Sequence, residues 1–566
     1  MRRIPLVTAI LPTIGLLLVS LPVARSSPPT AAGPVTVLDP VFVEVATENP
    51  WQYISVPGFE LISRCPERFT ATYAHALRLA TAARLTVLPA AFWGELPTPF
   101  KLVLYHRAPE PGESALSASP IDLSWAAEDG ATAGPDSIQF SHPVTVGDGD
   151  TFINCGNYWD LRVDSRDLSV DPDTALRLGL RVPQFPAWFV AGLEGPCGLL
   201  RNRVIRSTPQ GDLAILPNAR WISPAETSAI QGEEKNDPKA AARHHPRTLL
   251  PLGELFRGAT FVGREDLWNA ETALLVRWGL YQNGNRQGFL DFVSASAQEP
   301  VTEQLFQRFL GLSYGEAQQR LGDYLFRAVT EPINVPLPTQ PEEPLNVREA
   351  TSIEIARIVG DWGRLESRSV SPQYAGFQHE CLERTQRLFD RALLTKSDDP
   401  LFLAAFGLYA LQAGDSLRAR PALEAATGAG VLRPRAYVEL ARLRLEVAIP
   451  SAPDGIGDLR ASEFEQIMAL LNTARQQMPA LLSTYNIFVR AFEHAPSKPT
   501  REDLRVLDEA VQLFPRNAAL ACKVANLYRG LGYAADATAL IDRAMRFAES
   551  DPDRALLAGF VTNSAR

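Results

Sequence analysis

Between Leu401 and Ala544 the chain spaces its small residues twice in the same way. Gly407, Gly414, Ala419 and Ala426 are 7, 5 and 7 positions apart, and so are Ala525, Gly532, Ala537 and Ala544. Small residues at such offsets let two antiparallel helices approach closely, while Phe406, Leu423, Tyr528 and Ile541 fill the space between them. One helix pair cannot bury its own apolar face, so a run of pairs is expected to stack into a solenoid. Half-patterns extend the run: "CLERTQRLFDRALLTKSDDP" with Phe389, Ala392 and Pro400, and "DLRVLDEAVQLFP" with Leu507, Ala510 and Pro515. Stretches at 433–447, 461–478 and 480–494 read as degenerate copies interrupted by "IPSAPDGIGD". Residues 351–566 are therefore expected to be an all-α solenoid.

The preceding segment has a different texture. "FELISRC", "PFKLVLYHRA", "SIQFSHPVTV" and "TFINCGNYW" read as strands, the last two flanking a Gly-Asp-Gly-Asp turn at 147–150. "PERFTATYAHALRLATAARLTVLP" has helical spacing, and helices are expected over 172–181, 186–200, 266–283, 287–296, 302–310 and 314–328. An α+β region over 49–330 follows. Pro332, Pro336, Pro338, Pro341 and Pro344 forbid regular helix in "EPINVPLPTQPEEPLNVRE", so 331–350 is expected to be a semi-rigid linker between two domains.

The N-terminus carries Arg2 and Arg3, an apolar run from Ile4 to Ala24, and a Ser/Pro/Ala-rich exit. This is the pattern of a secretory signal over residues 1–26, followed by a flexible lead-in at 27–48. A retained anchor is the alternative, though Pro5, Pro12 and Pro22 interrupt the run. The expectation is an exported, periplasmic or extracellular protein with no stable membrane insertion after cleavage. The net charge of -9 gives no electrostatic reason to bind nucleic acid. The five cysteines, Cys65, Cys155, Cys197, Cys381 and Cys522, have no CxxC spacing, which speaks against a structural zinc site or a redox motif. In an exported chain one disulfide is possible, with Cys155–Cys197 the candidate pair, while burial as small hydrophobes is the expected fate of most of the cysteines.

The segment "VPQFPAWFVAGLEG", Val182 to Gly195, reads as a proline turn opening a short helix that carries Trp188 and Phe189. With "LLPLGELFRG" at 249–258 and "FQRFLGLSYGEAQQRLGDYL" at 306–325, in the order and spacing found here, the 49–330 segment resembles the gluzincin-like, peptidase MA-type zinc peptidases. In that resemblance "FELISRC" and "PFKLVLYHRA" correspond to early strands and "TFINCGNYW" to the edge strand. The 351–566 segment resembles the tetratricopeptide repeats that often follow such domains. The resemblance implies an HExxH helix upstream of the Pro-Trp turn and a Glu ligand at the place of Ala191. Two histidines one helical turn apart would hold zinc, and the intervening Glu would deprotonate its water.

The chain lacks that set. Its histidines are His75, His106, His142, His244, His245, His379 and His494, and no two are four apart. The corresponding helix, "DPDTALRLGLRV", offers Asp171, Asp173, Arg177 and Arg181 instead. The expectation is a pseudopeptidase with no catalytic residues, no metal and no cofactor. Glu194, three residues past Ala191, together with Trp188 and Phe189, remains a candidate lining of the old cleft, with core packing the alternative for the aromatics. His244–His245 in a charged stretch reads as solvated loop, "HECLE" at 379–383 lacks a second His, and Asp148 and Asp150 near His142 read as the acidic tips of a turn. The leading functional expectation is protein or peptide binding on the solenoid. The rivals are a hydrolase with an unconventional site and a structural part of an envelope assembly.

Overall fold

The computed structural model describes residues 50–105, 144–157, 174–195, 197–200, 203–205, 212–216, 249–257, 265–337, 344–369, 375–449 and 459–564. The expected signal segment and lead-in lie outside these. Among the described residues no helix is long and apolar enough to cross a membrane.

The main sheet is built from β1 (Gln52–Val56), β2 (Phe59–Ser63), β3 (Phe100–Tyr105), β4 (Val144–Gly147), β5 (Phe152–Asn157) and the short β9 (Arg348–Glu349). Its order is β4-β5-β3-β2-β1-β9. β2, β3 and β5 run parallel, while β1, β4 and β9 pair antiparallel with their neighbours. Helix α1 (Glu67–Val87) makes the crossover from β2 to β3, as parallel strands require. β5, expected at an edge from the resemblance, is second from it, because β4 folds back over a four-residue turn and pairs outside it.

The central strands bury apolar side chains on both faces, and each face has its own cover. Phe59, Leu61, Phe100, Leu102 and Leu104 pack with Tyr73, Ala74 and Leu77 of α1. Ile62, Val103 and Ile153 pack on the opposite side with Ile358, Val359, Trp362 and Leu365. Those four residues come from the start of the C-terminal region: α9 (Ser352–Ile355), a π turn (Ala356–Gly360) and α10 (Asp361–Ser369). The sheet is thus completed by a helix from beyond the expected linker.

A helical subdomain follows the sheet: α2 (Thr174–Leu180), α3 (Ala187–Glu194), α4 (Leu252–Leu255), α5 (Glu265–Tyr281), α6 (Arg286–Ser296), α7 (Glu303–Leu310) and α8 (Tyr314–Thr330). The α7–α8 turn shows local sequence at work. Gly311 takes a positive φ of 68° to end α7, and Ser313 with Glu316 forms a capping box that starts α8. A small antiparallel sheet, β6 (Arg203–Ile205), β7 (Asp212–Ile215) and β8 (Ile333–Pro336), lies alongside. The described parts of the proline-rich stretch, 331–337 and 344–350, hold no helix, in keeping with its prolines. Within it β8 pairs with β7 and β9 with β1, so both of its described ends are pinned into sheets.

The rest is helical: α11 (Ala375–Leu393), α12 (Pro400–Gln412), α13 (Ser416–Gly428), α14 (Pro434–Ala448), α15 (Ala461–Arg475), α16 (Leu482–Glu493), α17 (Arg505–Leu513), α18 (Ala518–Gly530), α19 (Ala534–Phe547) and α20 (Asp551–Ser564). The two matched segments form the hairpins α12–α13 and α18–α19. Gly414 and Gly532 sit in their turns with φ of 81° and 92°, conformations that favour glycine. Ala419, Ala426, Ala537 and Ala544 are buried. A Cβ on Gly407 would lie 2.7 Å from Leu423 Cγ, so this glycine sets how closely α12 and α13 pack.

The turns that connect successive pairs gather at one edge and meet the α/β region. Arg433 and Arg435, before and within α14, reach the β4–β5 turn. Leu481, before α16, packs on Gly149 of that turn. Arg516, before α18, donates to the carbonyls of Gln184 (2.8 Å) and Ser296 (2.7 Å). Glu549, before α20, accepts the N–H of Ala187 at 3.3 Å.

This dependence is open to measurement. Trp362→Ala removes a large side chain that covers the second sheet face and is expected to cost about 3–5 kcal/mol. The loss should appear in urea titrations as one shifted transition, seen alike by far-UV circular dichroism and tryptophan fluorescence. A new, separate transition for the helical part would show that the sheet does not depend on this cover.

Candidate functional site

The Pro-Trp segment is built into the core. Pro183 follows a cis peptide bond, and α3 begins at Ala187. Trp188 and Phe189 are 1% and 0% exposed. Trp188 meets Phe189, Phe256, Phe289 and Phe292, while Phe189 meets Phe92 and Phe185. Both aromatics pack in the interior, the arrangement given above as the alternative to lining a cleft. Ala191 packs half-buried against the same cluster, and Glu194 is half-buried at the helix end. Beside them Gly192 is pressed against α5, where a Cβ would lie 2.5 Å from the Thr272 carbonyl oxygen. The Gly-Leu pair therefore serves a helix crossing.

Helix α2, which the resemblance places where HExxH would stand, is tied down by its arginines. Arg177 Nη1 donates to the Gly94 carbonyl at 3.4 Å. Arg181 donates to the carbonyls of Ala91 and Pro183, and its guanidinium lies 4.0 Å above the Phe185 ring. Asp171 and Asp173, like His106, His142, His244 and His245, lie outside the described residues. His75 and His379 are exposed, the latter 3.2 Å from Glu383. Among the described residues no group of three or more His, Cys, Asp or Glu side chains could hold a metal ion. Cys197 is buried after α3 and Cys155 lies on β5, but the Cys155 side chain is outside the described residues, so the candidate pairing rests on the sequence alone.

The densest charged constellation is one the sequence reading passed over. Asp148 and Asp150, expected as exposed turn tips, are buried. Arg364 of α10 donates to Asp148 and, at 2.7 Å, to Asp361. Arg433 lies 2.8 Å from Asp361 and 3.6 Å from both Asp148 and Asp150. The backbone N–H of Arg435 donates to Asp150 Oδ2 at 2.6 Å, so the sheet supplies the N-terminal cap that α14 lacks in its own sequence. Arg435 Nε also donates to the Asp148 carbonyl at 3.0 Å. Nearby, Arg357 of the π turn makes a two-pronged bond to Glu60 of β2, with Tyr53 donating to the same carboxylate at 2.7 Å. Burial opposes ionising Glu60, but its bond to Arg357 outweighs this and holds it below its ordinary value. Lys101 of β3 lies between the two groups, and burial, then Arg433, push its ammonium down to about 8. Two signals in the sequence point to this junction: the acid pair in the turn and the Arg-Pro-Arg at 433–435.

Accessible binding geometry lies elsewhere. A groove of about 340 Å³ opens among α15, α16, α17 and the turn before α17. Met468, Phe488 and Val506 give it apolar surface, and Asn472, Arg475, Glu502, Asp503, Arg505 and Glu509 give it polar surface. Arg475 pairs with Glu509, whose other oxygen accepts from Tyr485 at 2.8 Å. Burial and this bond to Glu509 push the Tyr485 hydroxyl well above its ordinary range, so it stays a donor. Glu502 and Arg505 form an exposed pair at 2.7 Å. No motif in the sequence marks this groove, because its residues come from three helices.

Comparison of the chain with protein-family models, with curated protein sequences and with solved structures yields no match.

The junction makes a sharp energetic prediction. Arg364→Met leaves Asp148 and Asp361 buried without their shared guanidinium, and unfolding in urea should show a loss of about 3–5 kcal/mol. Arg308→Ala, which breaks the exposed pair with Glu299, should change stability by less than about 1 kcal/mol.

Proposed function

We propose that this is an exported scaffold that binds a protein or peptide through a tetratricopeptide-type solenoid. Its α+β part is a gluzincin-like body without the zinc chemistry. The observation that carries the binding reading is the pair of matching hairpins, α12–α13 and α18–α19. They share their small-residue offsets, a left-handed glycine in each turn and buried alanines at equivalent places. Stacked pairs of this kind present a long surface to an extended segment of another chain. The groove beside α15 and α17, apolar at its base and charged around it, suits a side chain flanked by polar backbone.

The pseudopeptidase reading is supported by the sequence. No two histidines are four apart, and Ala191 stands where the resemblance expects a carboxylate. The remaining residues of the segment are used for packing: Trp188 and Phe189 in the core, Gly192 at a helix crossing, Arg181 on Phe185.

Mild crosslinking in the native envelope followed by purification should recover a stoichiometric protein partner. Joint replacement of Glu502 and Arg505 by alanine should weaken that recovery about tenfold, or roughly 1.4 kcal/mol, with the helical circular dichroism unchanged. Unaltered recovery would place the contact on another face of the solenoid. Stoichiometric zinc by elemental analysis, with chelator-sensitive hydrolysis of casein, would overturn the pseudopeptidase reading in favour of an unconventional hydrolase.

A further inference from the structure

Asp150 differs from the carboxylates around it. Asp148 accepts from Arg364, and Asp361 has Arg364 and Arg433 within 2.8 Å. Among the described residues Asp150 accepts a backbone N–H, from Arg435, and no guanidinium hydrogen bond; its Oδ1, like Asp148 Oδ1 and Asp361 Oδ2, is buried without a hydrogen-bond partner, and Arg433 Nε stays 3.6 Å from it. It also shares a tight turn with Asp148, a second buried acid two positions away. An ionised carboxylate in such a place carries a large desolvation cost that a proton removes. The turn is moreover where the sheet meets the solenoid edge, through Asp150 on α14 and Gly149 on Leu481.

We propose that docking of the β4–β5 turn onto the α13–α14 turn is proton-linked, with Asp150 protonated when the turns are docked and ionised when they part. The binding reading plays no role in this inference. The groups facing Asp150 are Asp148 on its own turn and Arg433 and Arg435 before and within α14; Asp361 and Arg364 on α10 and Lys101 on β3 belong to the same array, through Asp148 and Arg433. Glu439 and Arg368 flank Arg435. Burial, then Asp148, push the Asp150 carboxyl up to about 7, against the pull of Arg433 and Arg435.

The sign follows. The docked form binds the proton more tightly than the parted form, so docking weakens as pH rises from about 4 to about 7 and changes no further above that on account of Asp150. Glu60 and Asp361 are held below their ordinary values, so their contributions fade only in stronger acid. Lys101 acts above about 8. Buried Glu366 is also raised, but it bonds Arg384 and Cys381 of α11, away from these turns.

Hydrogen–deuterium exchange on the full chain tests this, with rates corrected for intrinsic chemistry. Peptides covering 144–153 and 431–440 should be about tenfold less protected at about pH 7.5 than at about pH 5.5, while the α18–α19 hairpin stays constant. Asp150→Asn, a neutral isostere that keeps the bond from Arg435, should hold both peptides at the acid-form protection throughout. Equal protection at both pH values in the wild type, greater protection at the higher pH, or a pH response shared by the whole chain would each overturn the proposal. So would an Asp150→Asn chain that keeps the wild-type response. If that variant fails to fold, infrared titration of the wild type decides. A carboxylic-acid C=O band lost as pH rises through about 7 supports the proposal, and its absence at about pH 5.5 overturns it.

Discussion

The architecture depends on a buried array of charge between one hairpin turn and the starts of two helices. Arg364 and Arg433 hold Asp148 and Asp361, and Asp150 holds the first free N–H of α14. Burying such groups is expensive, and their mutual attraction offsets the cost only when the geometry is right. The consequence is specificity. Sliding α14 or α10 by one turn along the sheet would strand several charges away from water. An apolar interface would tolerate such a slip. The Glu60–Arg357 pair makes the same demand on the π turn, whose extra residue per turn brings Arg357 over β2 while Arg364 still reaches the hairpin.

The sheet explains why this docking is needed. Its three parallel central strands are buried on both faces, with Glu60 and Lys101 among the buried side chains. α1 covers one side, and the segment around Trp362 packs on the other. The described ends of the proline-rich stretch support this arrangement, since each is hydrogen-bonded into a sheet. The α/β region and the C-terminal helical region therefore fall in one compact unit, although their sequences differ in texture as two domains would.

What was legible in the sequence follows the reach of each signal. Helices α5 to α8 were readable almost to the residue because their spacing and caps are local. The matched hairpins were readable because glycines in left-handed turns and buried alanines recur at fixed offsets. β1, β6, β7, β8 and β9 left no usable pattern; they are 2 to 5 residues long, and β8 and β9 sit amid prolines. The acid turn at 147–150 was readable as a turn and misread as solvent-exposed. Its partners lie more than 200 residues away, and nothing in a local window distinguishes a solvated aspartate from one awaiting an arginine. Trp188 and Phe189 were ambiguous for a similar reason. A core aromatic and a cleft aromatic look the same until the phenylalanines around them are placed.

Docking also limits what the C-terminal helical region can do. The turns at Arg433, Leu481, Arg516 and Glu549 all face the α/β region, so the edge they form is already occupied. The groove among α15, α16 and α17 stays open because it lies between helices, away from those turns. Glu549 closes the argument on the Pro-Trp segment. Pro186 gives α3 no capping side chain, and the C-terminal helical region supplies one through the bond from Ala187 to Glu549. Arg516 fixes that glutamate at 2.8 Å and binds the Gln184 carbonyl at the same turn. The Pro-Trp segment is thus clamped from outside by the last helix pairs. Its shape is accounted for by three packing duties: a proline turn that meets Arg516, an aromatic anchor in the core, and a glycine at a helix crossing.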